Sequence, residues 1–224
     1  MPEHVHVHVP HELSEPGEAV SHRERVLELI AALMMSLATL GIAWSGYQAA
    51  RWSGEQAELY TEASAARSLA NRASVFASQE RLQDLTNFNR WLELSTTGDT
   101  ELANLYERRF RDEFRPAFTA WVAQDPLHNP NAIASPLRMP EYRPVELVKS
   151  DALELRADRK FEEGKQATEH ADKYVFITVF FAAVLFFAGM SLRFAWPRLR
   201  VVVLVFGGGL LVYGFIALLG LPVH

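Results

Sequence analysis

"AWSGYQAARWSGEQAELY", residues 43–60, follows a run of apolar residues and carries the triplet Trp-Ser-Gly twice. Whether the chain leaves a membrane there, is cleaved there, or continues as helix decides the fold. The preceding block, residues 26–44, holds a single charge, Glu28, near its start. Two further blocks, residues 174–192 and 201–223, hold no charge at all. Each is long enough to cross a hydrocarbon core, which takes ~20 helical residues. A core helix of a soluble protein carries a polar stripe, and the last two blocks have none. The expectation is three transmembrane helices, at 26–44, 174–192 and 201–223.

Orientation follows from the short basic segments. Arg23 and Arg25 stand before the first block, and Arg193, Arg198 and Arg200 lie in the link 193–200. Three crossings put both clusters on one side, and short basic loops stay in the cytoplasm. Residues 1–25 are then a cytoplasmic tail and 193–200 a short basic cytoplasmic loop. Residues 45–173 and the C-terminus lie outside. Trp44, Tyr47 and Trp52 suit an aromatic belt at the outer interface, and Trp196 the inner one. Gly41-Ile42-Ala43 has the small-x-small look of a signal-peptide cleavage site. The 25 residues before the block are long and acidic, however, whereas a signal peptide starts short and basic.

Composition bounds the chemistry. The chain has 224 residues, a formal charge of -5 and no cysteine. Disulfides, thiolate metal sites and cysteine nucleophiles are excluded. The mild acidity argues against nucleic acid as a partner, which calls for a basic face.

Past Trp52 the residues are strong helix formers. Ala63, Ala66, Ala70, Ala73 and Ala77 recur at three- and four-residue steps, close to heptad spacing. Small residues on a seam let helix axes approach closely. Ala157, Phe161, Gly164, Thr168 and Ala171 repeat in the same way before the second block. The two stretches are expected to pair antiparallel as a stalk. Thr97-Gly98-Asp99 should end the first helix, with Asp99 capping the next. A second amphipathic helix is expected through Leu102, Leu105, Tyr106, Phe110, Phe114, Phe118 and Trp121, kinked or split at Pro116. Pro126, Pro130, Pro136, Pro140 and Pro144 predict an extended crossover, neither strand nor helix. The last outer helix should begin near Val145 and run unbroken into the block at Tyr174. The fold class is an all-α membrane protein: three transmembrane helices with a helical extracytoplasmic stalk and cap.

Candidate chemistry is sparse. "HVHVHVPHE", residues 4–12, puts His4, His6 and His8 on one side of an extended chain, with His11 after Pro10. Clustered imidazoles bind zinc, nickel or copper, so these four are the candidate ligands for a divalent metal. A flexible tail has no fold to fix their geometry, and weak, purposeless metal binding is the competing account. "YERRFRDEFR", residues 106–115, mixes four arginines with three acids and reads as a solvated helix face rather than a lipid-binding one. His170, beside Glu169 and Asp172, reads as an exposed interfacial residue. Gly207-Gly208-Gly209 lies in an apolar block and reads as a close helix contact. No nucleophile elbow, P-loop or dinucleotide fingerprint is present, so no enzymatic activity is expected. The blocks lack the intramembrane charges that mark pumps and coupled transporters.

The order of "GYQAARWSGEQ" after a first span, a helical outer region, then "ADKYVFITVFFAAVLFFAG" and a third span is similar to an uncharacterised family of small bacterial three-span membrane proteins that carry a domain of unknown function. The resemblance implies a multi-pass protein of the bacterial inner membrane and supplies no activity or site. The functional expectation is a non-catalytic membrane protein whose extracytoplasmic helical domain mediates assembly or partner binding, with membrane lipid, another copy or another membrane protein as partners. The alternatives are an oligomeric channel or accessory subunit of a transport complex, and a metal-responsive protein using the N-terminal histidines.

Overall fold

The computed structural model describes residues 22–224. Among the described residues five α-helices follow one another: α1 (His22–Thr97), α2 (Thr100–Arg108), α3 (Arg115–Val122), α4 (Val145–Ser191) and α5 (Pro197–Leu219). Among the described residues there is no strand. α1, α4 and α5 are long and apolar enough to cross a membrane, which marks the chain as a membrane protein. The opening question has its answer: residues 43–60 are uninterrupted helix inside α1.

The chain divides into two compact units. One takes α1 up to Ala49 with residues 172–224, and the other is Ala50–Ala171.

The first unit is a three-helix core. Ala31, Met34 and Ala38 of α1 pack with Ile177, Phe181, Val184 and Ala188 of α4 and with Leu204 and Leu211 of α5. Glycine makes this packing possible. A Cβ on Gly41 would stand 2.6 Å from the Phe181 ring, and one on Gly214 would stand 2.9 Å from it. The ring is fully buried between these two bare backbones. Of the glycine triplet only Gly207 makes the expected close contact, 3.1 Å from Met34 Cε to its would-be Cβ. Gly208 and Gly209 face open space, because consecutive helical residues point 100° apart. Leu29, Leu33, Leu40, Val179, Phe186, Val205 and Ile216 point outward, the surface a hydrocarbon environment requires.

The second unit pairs α1 with α4. Ala63, Ala66, Ala70, Ala73 and Ala77 are all buried, as their spacing predicts. The facing row on α4 is Ser150, Ala157, Gly164 and Ala171, one residue in seven, with Ala167 beside it. Two members of the expected row lie at its edge instead. Phe161 is half-exposed and stacks on Tyr60 at 5.3 Å, and Thr168 Oγ1 lies 3.4 Å from Tyr60 Oη. A ring of that size does not fit where the axes close. The Ser150 hydroxyl donates to the Ala70 carbonyl across the seam at 3.0 Å. Arg67, off the seam, pairs with Asp158 at 2.9 Å on the surface.

α1 stops where expected. Gly98 has φ +86°, a left-handed value that costs glycine little. Asp99 then caps α2 by accepting from Leu102 N at 3.2 Å. The second amphipathic helix is divided, and the break falls before Pro116. α2 ends at Arg108 and α3 starts at Arg115, so Pro116 sits in a first turn, where its missing N–H costs nothing. The proline-rich crossover carries one 3-10 turn, Pro136–Arg138, which the expectation of a purely extended segment omitted.

Gly164 is the position most sensitive to size, since an added Cβ meets the Tyr60 ring at 2.6 Å. Gly164→Leu and Ala70→Leu are expected to destabilise the detergent-solubilised protein by about 1–3 kcal/mol through overpacking. Arg67→Leu and Gly208→Leu should stay within about 0.5 kcal/mol, as surface changes do. Thermal unfolding of the four variants checks this. Equal tolerance at all four sites would show that the seam is not closely packed.

Candidate functional site

The unit Ala50–Ala171 carries two features beyond its seam: a polar node in its cap and an open groove along α1 and α4.

The cap is built on aromatic rings. Phe88, Phe110, Phe114, Phe118 and Trp121 are buried together with Leu137 and Met139, and Trp91 and Tyr142 pack against them. Phe88 meets Trp121 edge to face at 5.1 Å, and Phe110 meets Phe114 at 5.0 Å. Such pairs add about 0.5–1.5 kcal/mol each beyond their buried area. Trp121 Nε1 donates to the Ile133 carbonyl at 2.6 Å, tying the crossover to α3.

Against this core sits Asp84, 1% exposed. Its Oδ2 accepts from Tyr142 Oη at 3.0 Å and from Arg111 Nη1 at 3.3 Å. Arg111 Nη2 lies 3.1 Å from Glu80 Oε2, an ion pair without hydrogen-bond alignment, and 3.2 Å from Glu113 Oε2. Burial lifts the Asp84 carboxyl above the ordinary carboxylate range. The Tyr142 hydrogen bond and the Arg111 charge oppose that, while Glu80 and Glu113 reinforce it. The Tyr142 phenol is also raised, first by burial and then by the Asp84 charge. The node fastens three chain segments that have no regular pairing with each other: α1, the turn after α2, and the end of the crossover.

This corrects the reading of residues 106–115 as a solvated helix face. The run is broken between α2 and α3, Phe110 and Phe114 are buried, and Arg111 turns inward. Phe110, Arg111 and Phe114 all lie in the break, where the two rings enter the core and the Arg111 guanidinium reaches α1.

The groove, of about 530 Å³, runs beside the seam. Ala73 and Leu153 line it together with half-exposed Leu69 and Phe76. Arg72, Lys149 and Arg156 stand along it, and Lys149 is held by Glu146 at 3.2 Å. Arg72 and Arg156 make no ion pair among the described residues. Apolar ends flanked by free cations are suited to docking an amphipathic partner and carry no reactive group.

The candidate metal ligands His4, His6, His8 and His11 lie outside the described residues. Among the described residues no group of three or more His, Asp or Glu side chains is placed to hold a metal ion. His170 is not the exposed residue expected. It is half-buried, its ring lies 4.7 Å from that of Trp52, and its Nδ1 is shielded without a hydrogen-bond partner. Asp84 and Tyr142 were not singled out by sequence. The signal for Asp84 was present, since 63, 70, 77 and 84 form one heptad series.

The class these features define is an all-α membrane protein with a helical, surface-bearing second unit. No protein-family model, curated protein or solved structure matches the chain.

A carboxyl whose native pKa exceeds its unfolded one stabilises the fold while protonated. That contribution is full below the ordinary value of ~3.9 and is lost as pH rises through the raised native value. Asp84→Asn is therefore expected to gain on the wild type as pH rises above about 4, flattening the profile of stability against pH. Arg111→Met leaves the carboxylate buried without its cation and is expected to cost about 3–5 kcal/mol at neutral pH. Thermal unfolding from pH 4 to 8 measures both. A D84N profile parallel to the wild type would remove Asp84 from the account.

Proposed function

We propose that the chain is a non-catalytic integral membrane protein of a bacterial inner membrane. Its helical domain, residues 45–173, lies outside the cytoplasm as a stalk and cap that mediate partner binding. The observation that carries this reading is the apolar row left outside a satisfied seam. Leu69 and Phe76, one heptad apart on α1, are exposed beside an inward face that is already filled. Apolar side chains grouped on a surface mark interaction sites. Topology rests on the short basic segments at Arg23, Arg25, Arg193, Arg198 and Arg200. The resemblance to small bacterial three-span proteins is consistent with that arrangement.

Single cysteines at the exposed positions Ser74, Ala134 and Ala195 test the topology in intact cells with an impermeant thiol reagent. Labelling at 74 and 134 but not at 195 is expected, and the reverse pattern overturns the orientation. A photo-crosslinking residue at Leu69 or Phe76 should give an adduct of defined mass in the membrane, and one at Ser64 should not. Adducts equal to those of the control would remove the partner surface. Proteoliposomes of the pure protein are expected to hold an ion gradient, and rapid dissipation would favour the oligomeric channel instead.

A further inference from the structure

The first unit carries a second groove, at the end where α1 and α5 begin. It measures about 1100 Å³ and is lined by Arg23, Val26 and Leu27 of α1 with Trp196, Arg198 and Val201. We infer that this groove holds one anionic phospholipid, its phosphate against Arg23 and Arg198 and its acyl chains along Val26, Leu27 and Val201. The inference rests on the membrane reading of the three long helices.

Four observations converge on that ligand. Arg23 and Arg198 make no ion pair among the described residues, although Glu24 also lines the groove. The first turn of α5 has no side-chain cap: its N-cap is Trp196 and its first residue is Pro197. The amide groups of Arg198 and Leu199 are therefore left as orphan donors at the positive end of the helix dipole, a setting that favours phosphate. The third observation is Arg200, one residue before Val201. It is 8% exposed, and its Nε and Nη2 are shielded without hydrogen-bond partners. Its nearest acid, Glu28 Oε1, is 3.6 Å away, close enough to pair but not to accept a hydrogen bond. A buried guanidinium with unmet donors places further positive potential in the same turn. The fourth is the wall itself. Val26 and Val201 are exposed and continue into exposed Ile30, Val202 and Val205, so an acyl chain entering the groove stays in contact with apolar surface. Trp196, 77% exposed, is the amphipathic ring that settles at headgroup level.

Charge decides the headgroup. A zwitterionic lipid brings its own cation to the same arginines and gains little. An anionic one is retained by about 1 kcal/mol for each basic residue, or roughly fivefold. Free phosphate shares the headgroup chemistry but forgoes every contact with Val26, Leu27 and Val201.

Native mass spectrometry of the detergent-solubilised chain tests the assignment with two probes, palmitoyl-oleoyl phosphatidylglycerol and the matching phosphatidylcholine. The wild type is expected to retain one phosphatidylglycerol in preference by about twenty-five-fold, the product expected of two arginines. Arg23→Ala with Arg198→Ala should abolish the preference, and Arg198→Lys, which keeps the charge, should preserve most of it. Equal retention of the two lipids overturns the inference, as does an unchanged preference in the double variant. Displacement of phosphatidylglycerol by equimolar inorganic phosphate assigns the groove to the free ion and also overturns it. Thermal unfolding of each variant confirms that the helices remain formed. Carbonate extraction of membranes separates the two levels: a protein released by carbonate contradicts the membrane reading, whereas one that stays but shows no lipid preference contradicts the groove alone.

Discussion

Small side chains, none larger than a methyl or hydroxymethyl group on the α4 row, set the α1–α4 contact in the second unit. Ser150, Ala157, Gly164 and Ala171 present them once every seven residues, opposite five alanines of α1. The tolerance at Gly164 is the clearest measure, because a single added carbon would meet the Tyr60 ring at 2.6 Å. Close axes bring backbone within reach of side chain, and the Ser150 hydroxyl reaches the Ala70 carbonyl because nothing bulky separates them. The larger residues sit at the margins, where Tyr60 stacks on Phe161 and Arg67 pairs with Asp158. The first unit meets the same limit by another route. There one large ring, Phe181, is accommodated because Gly41 and Gly214 supply no side chain at all.

The seam also determines where the cap attaches. Ala70 lies opposite Ser150, so the α1 face beyond Ala77 runs past the start of α4 at Val145. The next position in the series is Asp84, and its partner is Tyr142, three residues ahead of α4. An alanine there would face a loop with nothing to hold it. A buried carboxylate is costly, and replacing such a group with apolar residues often stabilises a protein. What it supplies here is direction. Phe114, Tyr142 and Arg111 come from segments without a common helix, and one acid fixes two of them by hydrogen bonds of defined geometry.

Periodicity made the long elements legible. The alanine steps gave the seam, the proline cluster gave the crossover, and Thr97-Gly98-Asp99 gave the end of α1, because each depends on local backbone preference or spacing. The inward turn of Arg111 was not legible. Charge counting over residues 106–115 gives a near-neutral, solvated segment, whereas the fold sends one of its four arginines, Arg111, toward Asp84. His170 escaped for a similar reason, since its neighbour Trp52 is 118 positions away and no local pattern relates them. Arg200 counts in sequence as part of a basic loop, yet α5 begins at Pro197 and its first turn carries Arg200 into a buried position beside Glu28. In each case a charged or ionisable side chain was judged by its sequence neighbours, while its surroundings are set by another helix.

The distribution of charge separates what holds this protein together from what it offers to others. Of the stretches 26–44, 174–192 and 201–223 only the first holds a charge, Glu28, and it pairs with Arg200 just ahead of the third. The margins of the α1–α4 seam in the second unit are covered within the chain. Tyr60, Phe161, Arg67, Asp158, Glu62 and Lys160 cover each other in stacked rings and ion pairs, so their capacity to bind is spent within the chain. Leu69, Arg72, Phe76 and Arg156 have no such arrangement among the described residues. A second copy meeting this groove face to face would bring arginine against arginine, which costs free energy wherever water is excluded. On the proposed reading of this groove as a partner surface, the complementary occupant is an acidic amphipathic helix, whose apolar stripe would cover Leu69 and Phe76 while its carboxylates reach Arg72 and Arg156.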